Sequence, residues 1–168
     1  MKISSCLIFF ITCFPFLLSS QSNMENSNLL NGLPAWAAEI IKSDKISHAY
    51  RVSDFLNPFY LEDDFDGDKQ TDIAVLITEK QTGKKGILVM HARTKEYFVL
   101  GAGQKSGAGQ DDFSWMNLWK VFRETKVEPV APDDKRVYLV SPAIWVDKTG
   151  TPGAVIYWTG KMYRWYQQ

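Results

Sequence analysis

The chain has 168 residues, with 19 basic and 19 acidic side chains and two histidines. That length suits one domain around one core, and the balanced charge gives no electrostatic reason to expect nucleic acid or an anionic lipid surface as a partner. Ten Phe, seven Tyr and six Trp supply large apolar side chains for such a core.

Residues 1–22 read as a secretory signal peptide. Lys2 gives a short positive start, and Cys6–Leu18 (CLIFFITCFPFLL) is uncharged and almost wholly apolar. Ser19-Ser20-Gln21-Ser22 then offers small residues for cleavage. An apolar core of about 13 residues is shorter than the roughly 20 that span a bilayer, and Pro15 interrupts it further. The expectation is an exported protein, periplasmic or secreted, that meets a membrane only through this segment before cleavage. Cys6 and Cys13 leave with it, so no disulfide is expected in the mature chain.

Residues 23–32 (NMENSNLLNG) are polar apart from Leu29 and Leu30 and read as a linker, with a single domain over 33–168. Leu33, Trp36, Ala37, Ile40 and Ile41 recur at the spacing of one helical face, and Pro34 suits a first helical position. From Phe59 the pattern changes to strands. Asp72–Glu79 (DIAVLITE) and Gly86–Ala92 (GILVMHA) form an expected antiparallel hairpin across Lys80–Lys85, and Glu96–Leu100 is a third strand. Asp111 or Asp112 would cap a short helix through Phe122. Arg136–Ser141 and Ala143–Val146 are strand-like but divided by Pro142, which suggests an edge or a bulge. Ala154–Trp158 and Met162–Tyr166 close the chain as a hairpin across Thr159-Gly160-Lys161. Strands joined by short turns give an α+β class: mainly an antiparallel meander with one or two short helices.

The sharpest local pattern is Asp64-Phe65-Asp66-Gly67-Asp68-Lys69-Gln70-Thr71-Asp72. Counting from Asp64, carboxylates fall at positions 1, 3, 5 and 9, and the Gln70 carbonyl stands at position 7. Calcium takes six to eight oxygen ligands, which closely spaced aspartates on a turning loop can supply. Gathering them round one point without a cation would be unfavourable. The spacing resembles the calcium loop of FG-GAP and VCBS repeats, Asp-x-Asp/Asn-x-Asp-Gly-x-x-Asp leading into an apolar strand, here Ile73-Ala74-Val75-Leu76. That resemblance covers about a dozen residues, too few for the blades of a propeller. It implies calcium held by Asp64, Asp66, Asp68, Gln70 and Asp72. Lys69 stands where the family usually has glycine, at a cost of about 1–2 kcal/mol if the backbone there is left-handed. An EF-hand is excluded, because position 12 is Val75 instead of a bidentate Glu.

Other motifs are weaker. Gly101–Gly109 (GAGQKSGAG) lacks the Gly-Lys-Ser/Thr of a phosphate loop and the spacing of a dinucleotide fingerprint, but its length and glycine content make it a candidate binding loop. Tyr157, Trp158, Tyr163 and Trp165 alternate along the last hairpin, so some pack in the core while others are candidates for binding a sugar or protein. His91 reads as a core histidine, and no serine or cysteine sits in an activating motif. The whole chain resembles small exported bacterial proteins that combine one acidic loop with a Tyr- and Trp-rich C-terminus, a resemblance that implies no activity. The expectation is an exported, non-catalytic domain with a structural calcium loop and an envelope protein or a glycan as partner. Two alternatives stay open: a small glycan hydrolase using carboxylates of residues 62–72, and a periplasmic inhibitor or immunity-type protein.

Overall fold

Every residue of Asp72–Ile77 and Thr78 is buried, as a continuous apolar run requires when both faces of its strand are covered. That strand organises the fold. The computed structural model describes residues 26–128 and 136–168; the expected signal peptide and residues 23–25 lie outside them. In chain order the elements are α1 (residues 26–31), α2 (Ala35–Lys42), α3 (Asp44–Ser47), β1 (Tyr50–Val52), β2 (Tyr60–Asp63), β3 (Asp72–Glu79), β4 (Lys85–Met90), β5 (Tyr97–Gly101), β6 (Leu118–Phe122), β7 (Lys126–Val127), β8 (Val137–Tyr138), β9 (Ala143–Asp147), β10 (Ala154–Trp158) and β11 (Tyr163–Gln167).

All named strand pairs are antiparallel. The first sheet runs β1-β3-β4-β5, and β2 continues the β1 edge along the other half of β3. The second runs β11-β10-β9-β6, and β7 and β8 form a small ribbon. Alternation along β3 divides the core. Ala74 and Leu76 face the second sheet and pack with Ile87, Val89, Ile144, Val146 and Ile156. Ile73, Val75 and Ile77 face the helices and pack with Leu30, Leu33, Ala37, Ile41 and Ile46. The ribbon covers the outer face of the second sheet through Val127, with Ala143 and Val155 beneath it. The result is a helix layer, two sheets and a covering ribbon, sheet-rich within the α+β class.

Three expectations need correction. Residues 26–31 of the expected linker are helical; Leu30 is buried against the first sheet, and Asn26 Oδ1 accepts the Val52 N–H at 2.9 Å. That makes three short helices rather than one or two. The helix expected to run to Phe122 is a single turn, Met116 N to Phe113 O at 3.0 Å, followed by strand β6. Phe113, Met116 and Trp119 do share a buried side, but β9 pairs with residues 118–122 and tertiary pairing overrides the helical spacing. Pro142 marks neither an edge nor a bulge of one strand. It separates β8, in the ribbon, from β9, an inner strand of the second sheet.

Candidate metal centre

The acidic loop joins β2 to β3 and is folded by its own side chains. Asp64 Oδ1 accepts the N–H groups of Gly67 and Asp68 at 2.8 and 2.9 Å, and its Oδ2 accepts that of Lys69 at 2.9 Å. Asp66 Oδ1 accepts Asp68 N at 3.0 Å, and Asp68 Oδ1 accepts Gln70 N at 2.8 Å. Aspartates at turns hydrogen-bond the backbone a few residues on, so this sequence winds into a tight coil. The winding needs left-handed backbone at Gly67 (φ 82°) and Lys69 (φ 70°). Lys69 therefore carries the strain anticipated for a non-glycine residue there.

Of the expected ligands, Asp64, Asp68 and Asp72 gather around Asp66. Among the described residues, ligand atoms within 4.8 Å of one another form two groups that share Asp66: Asp64, Asp66 and Asp68 on the loop, and Asp66, Asp72 and His91 beneath it. Gln70 is exposed at the loop's end, where its backbone N–H is the one that donates to Asp68 Oδ1. Asp72 opens β3 and is fully buried. Its oxygens accept Ala92 N at 2.8 Å and Asp66 N at 3.1 Å. Burial raises its carboxyl to about 6, opposed by the Ala92 N–H and reinforced by the Asp66 charge. Asp66 is raised for the same first reason, burial, with the Asp68 N–H and His91 opposing.

His91 is the member that the sequence did not bring forward. It follows β4 and is 1 % exposed. Its Nε2 lies 2.8 Å from the Tyr163 hydroxyl and its Nδ1 lies 3.3 Å from Asp66 Oδ2. Burial lowers the imidazole, against the pull of Asp66. Burial also raises the Tyr163 phenol, aided by Asp72 and Asp66. A protonated phenol donating to Nε2 leaves the proton of a neutral ring on Nδ1, facing Asp66. The acidic loop in the first sheet is thus tied to the aromatic hairpin in the second.

Flanking charges are partly tied off. Arg123 Nη2 pairs with Asp63 Oδ2 at 2.7 Å, and Arg93 Nη2 donates to the Asp68 carbonyl at 2.7 Å. Arg93 Nε forms an ion pair with Asp68 Oδ2 at 2.9 Å, and this buried oxygen accepts no hydrogen bond among the described residues. An acceptor without a donor, beside two further carboxylates, is a set of hard oxygens suited to a hard cation. Asp64, Asp66 and Asp68 fit calcium in donor chemistry. The second group adds an imidazole nitrogen and is more enclosed.

The four aromatic candidates are all half-buried. Tyr157 packs beneath the ribbon. Trp158 and Tyr163 gather round His91 and Phe98, with centroid distances from His91 of 4.8 and 5.8 Å. Trp165 packs on Phe113 and Trp115 at 5.9 and 6.1 Å. Among the described residues no helix is long and apolar enough to cross a membrane. Comparison with known proteins finds no matching family model, no matching curated protein and no matching solved structure.

Proposed function

We propose that the protein is an exported, non-catalytic binding domain whose acidic loop, Asp64–Asp72, holds a structural calcium ion. The convergence of Asp64, Asp66 and Asp68, whose carboxylate oxygens approach within 4.8 Å of one another, carries the reading. The spacing shared with FG-GAP loops and the signal-like N-terminus support it. Against the glycan-hydrolase alternative stands the burial of Asp72. A fully buried carboxyl cannot reach a glycosidic oxygen.

A cation that binds only the folded chain stabilises it by mass action, by about 2.7 kcal/mol at a hundredfold excess over Kd. Melting curves in chelator, in calcium and in salt of matched ionic strength test this. The expected result is a calcium-specific rise, smaller in magnesium, which demands tighter octahedral geometry. The double substitution Asp66→Asn, Asp68→Asn should abolish it. Identical curves in all three solutions would overturn the metal site.

A further inference from the structure

The Gly-rich segment and the C-terminal hairpin enclose a cleft of about 370 Å3, with Gly109, Gln110, Asp112, Trp115, Thr151 and Trp165 in its wall. The two indoles meet edge to face at 70°. Both stay half-buried, so ring surface remains open. Their positions are set in advance. The Trp165 ring lies on the backbone of Gly107 and Gly109, and its Nε1 donates to Gln167 Oε1 at 3.0 Å. Preformed walls of this kind, apolar with a few polar groups, are the usual make-up of a small-ligand site.

Gln110 is the informative residue. Its φ of 61° and ψ of −150° lie where essentially only glycine sits. The segment uses glycine at 101, 103, 107 and 109, yet carries glutamine at the position that most favours glycine. The Ser106 N–H to Gln110 carbonyl bond, at 2.9 Å, involves its backbone alone. Its side chain is exposed and makes no hydrogen bond among the described residues. Backbone strain retained at an exposed side chain that makes no hydrogen bond to the fold points to a task outside folding.

The cleft's chemistry narrows the ligand. Among the described residues no lysine or arginine lines it, so an anion finds no counter-charge among them. The one charged liner among the described residues, Asp112, is occupied by the N–H groups of Lys85 and Ser114 and by the Ser114 hydroxyl. What remains is indole surface, a free amide and a threonine oxygen. We propose that this cleft binds a neutral saccharide, with a sugar ring stacked on the open surface of Trp115 and Trp165 and its hydroxyls bonded by the Gln110 amide. The inference rests on the binding-domain part of the reading above and is separate from the calcium site.

The purified chain, titrated with chitotriose, cellotriose, maltotriose and a tri-lysine peptide, provides the test by tryptophan fluorescence and calorimetry. At least one trisaccharide should bind with Kd of about 1 mM or tighter, and Trp115→Ala should abolish the signal. Gln110→Gly should raise the melting temperature while weakening that affinity about tenfold, because the strain and the amide are lost together. A merely structural Gln110 would give the first effect without the second. Failure of every trisaccharide at about 10 mM, binding of tri-lysine alone, or unchanged affinity in Gln110→Gly would each overturn the proposal. The calcium melting shift is measured on the same sample, so a chain that responds to calcium and ignores sugars fails this inference only.

Discussion

The acidic loop between β2 and β3 and the Gly-rich loop after β5 both turn the chain through left-handed residues, and they are held in opposite ways. In the first, Asp64, Asp66 and Asp68 bond backbone N–H groups no more than five residues ahead. In the second, Trp165 from the last strand and Phe113 from beyond the loop lie against bare glycine backbone. Gly67 therefore serves a backbone angle, and a β-carbon there would have its nearest neighbour at 3.5 Å. Gly109 serves an empty volume, where a β-carbon would stand 2.5 Å from the Trp165 ring and 2.8 Å from Phe113. A turn specified by its own neighbours can be read from a short window. A turn specified by distant rings cannot.

The sharpest way to break this comparison is to add one methyl group to each loop. Gly109→Ala forces two packed rings apart and should cost about 3 kcal/mol, at the high end for overpacking. It should also alter tryptophan fluorescence. Gly67→Ala meets Ser141 at ordinary van der Waals distance and should cost only the left-handed backbone, about 1–2 kcal/mol. Denaturant midpoints measure both, and equal losses would remove the distinction.

An effect of similar size tests how the acidic loop is anchored below. Asp72 titrates near 6 when folded against an ordinary 3.8, so the folded chain binds this proton more tightly than the unfolded one. The stabilisation from the protonated carboxyl is complete below about 3.8 and is lost as pH rises through 6, a fall of about 3 kcal/mol without cation. His91 tilts the other way, because its lowered imidazole costs stability as pH drops below its unfolded value. The two must be separated by comparing native chain with Asp72→Asn in chelator. The difference in unfolding free energy between them should change steeply from pH 4 to pH 6.5 and be flat above. A constant difference would mean that Asp72 is not perturbed.

Legibility in the sequence followed the same division. The runs at Asp72–Glu79 and Ala154–Trp158 match β3 and β10 residue for residue, because burial on both faces leaves an unbroken apolar stretch. The loop aspartates and the left-handed Lys69 were also legible, since Asx-type bonding is local. The burial of His91 was legible too, but its place in the site was not, because its partners, Asp66 and Tyr163, come from different parts of the chain. The turn at Phe113 and strand β6 were missed because Phe113, Met116 and Trp119 share one buried side in either conformation; the pairing with β9 decides between them. Helix α1 was missed because Leu29 and Leu30 are an isolated apolar pair in a polar window, and the burial of Leu30 depends on a sheet that lies later in the chain.

The smallest effect compares two left-handed residues that are not glycine. Lys69 and Gln110 have φ of 70° and 61°, and Lys69→Gly should relieve the first. The gain is the left-handed penalty, about 1–2 kcal/mol, less the extra chain entropy of glycine in the unfolded state, about 0.4–1 kcal/mol. The net is a rise of about 0.5–1 kcal/mol. Glycine keeps the N–H that donates to Asp64 Oδ2, so the coil itself is preserved. Removing an exposed cation beside several acids costs a few tenths of a kcal/mol in chelator, and a bound calcium ion would offset that loss. The gain should therefore be larger in calcium than in chelator, a double difference that generic salt screening does not reproduce. Lys69→Ala, which removes the charge but keeps the β-carbon, should show no gain in either solution. Saccharide affinity should be unchanged in Lys69→Gly, in contrast to Gln110→Gly. If both glycine substitutions stabilise and neither affects binding, the strain at residue 110 is a property of the turn and the two loops are alike after all.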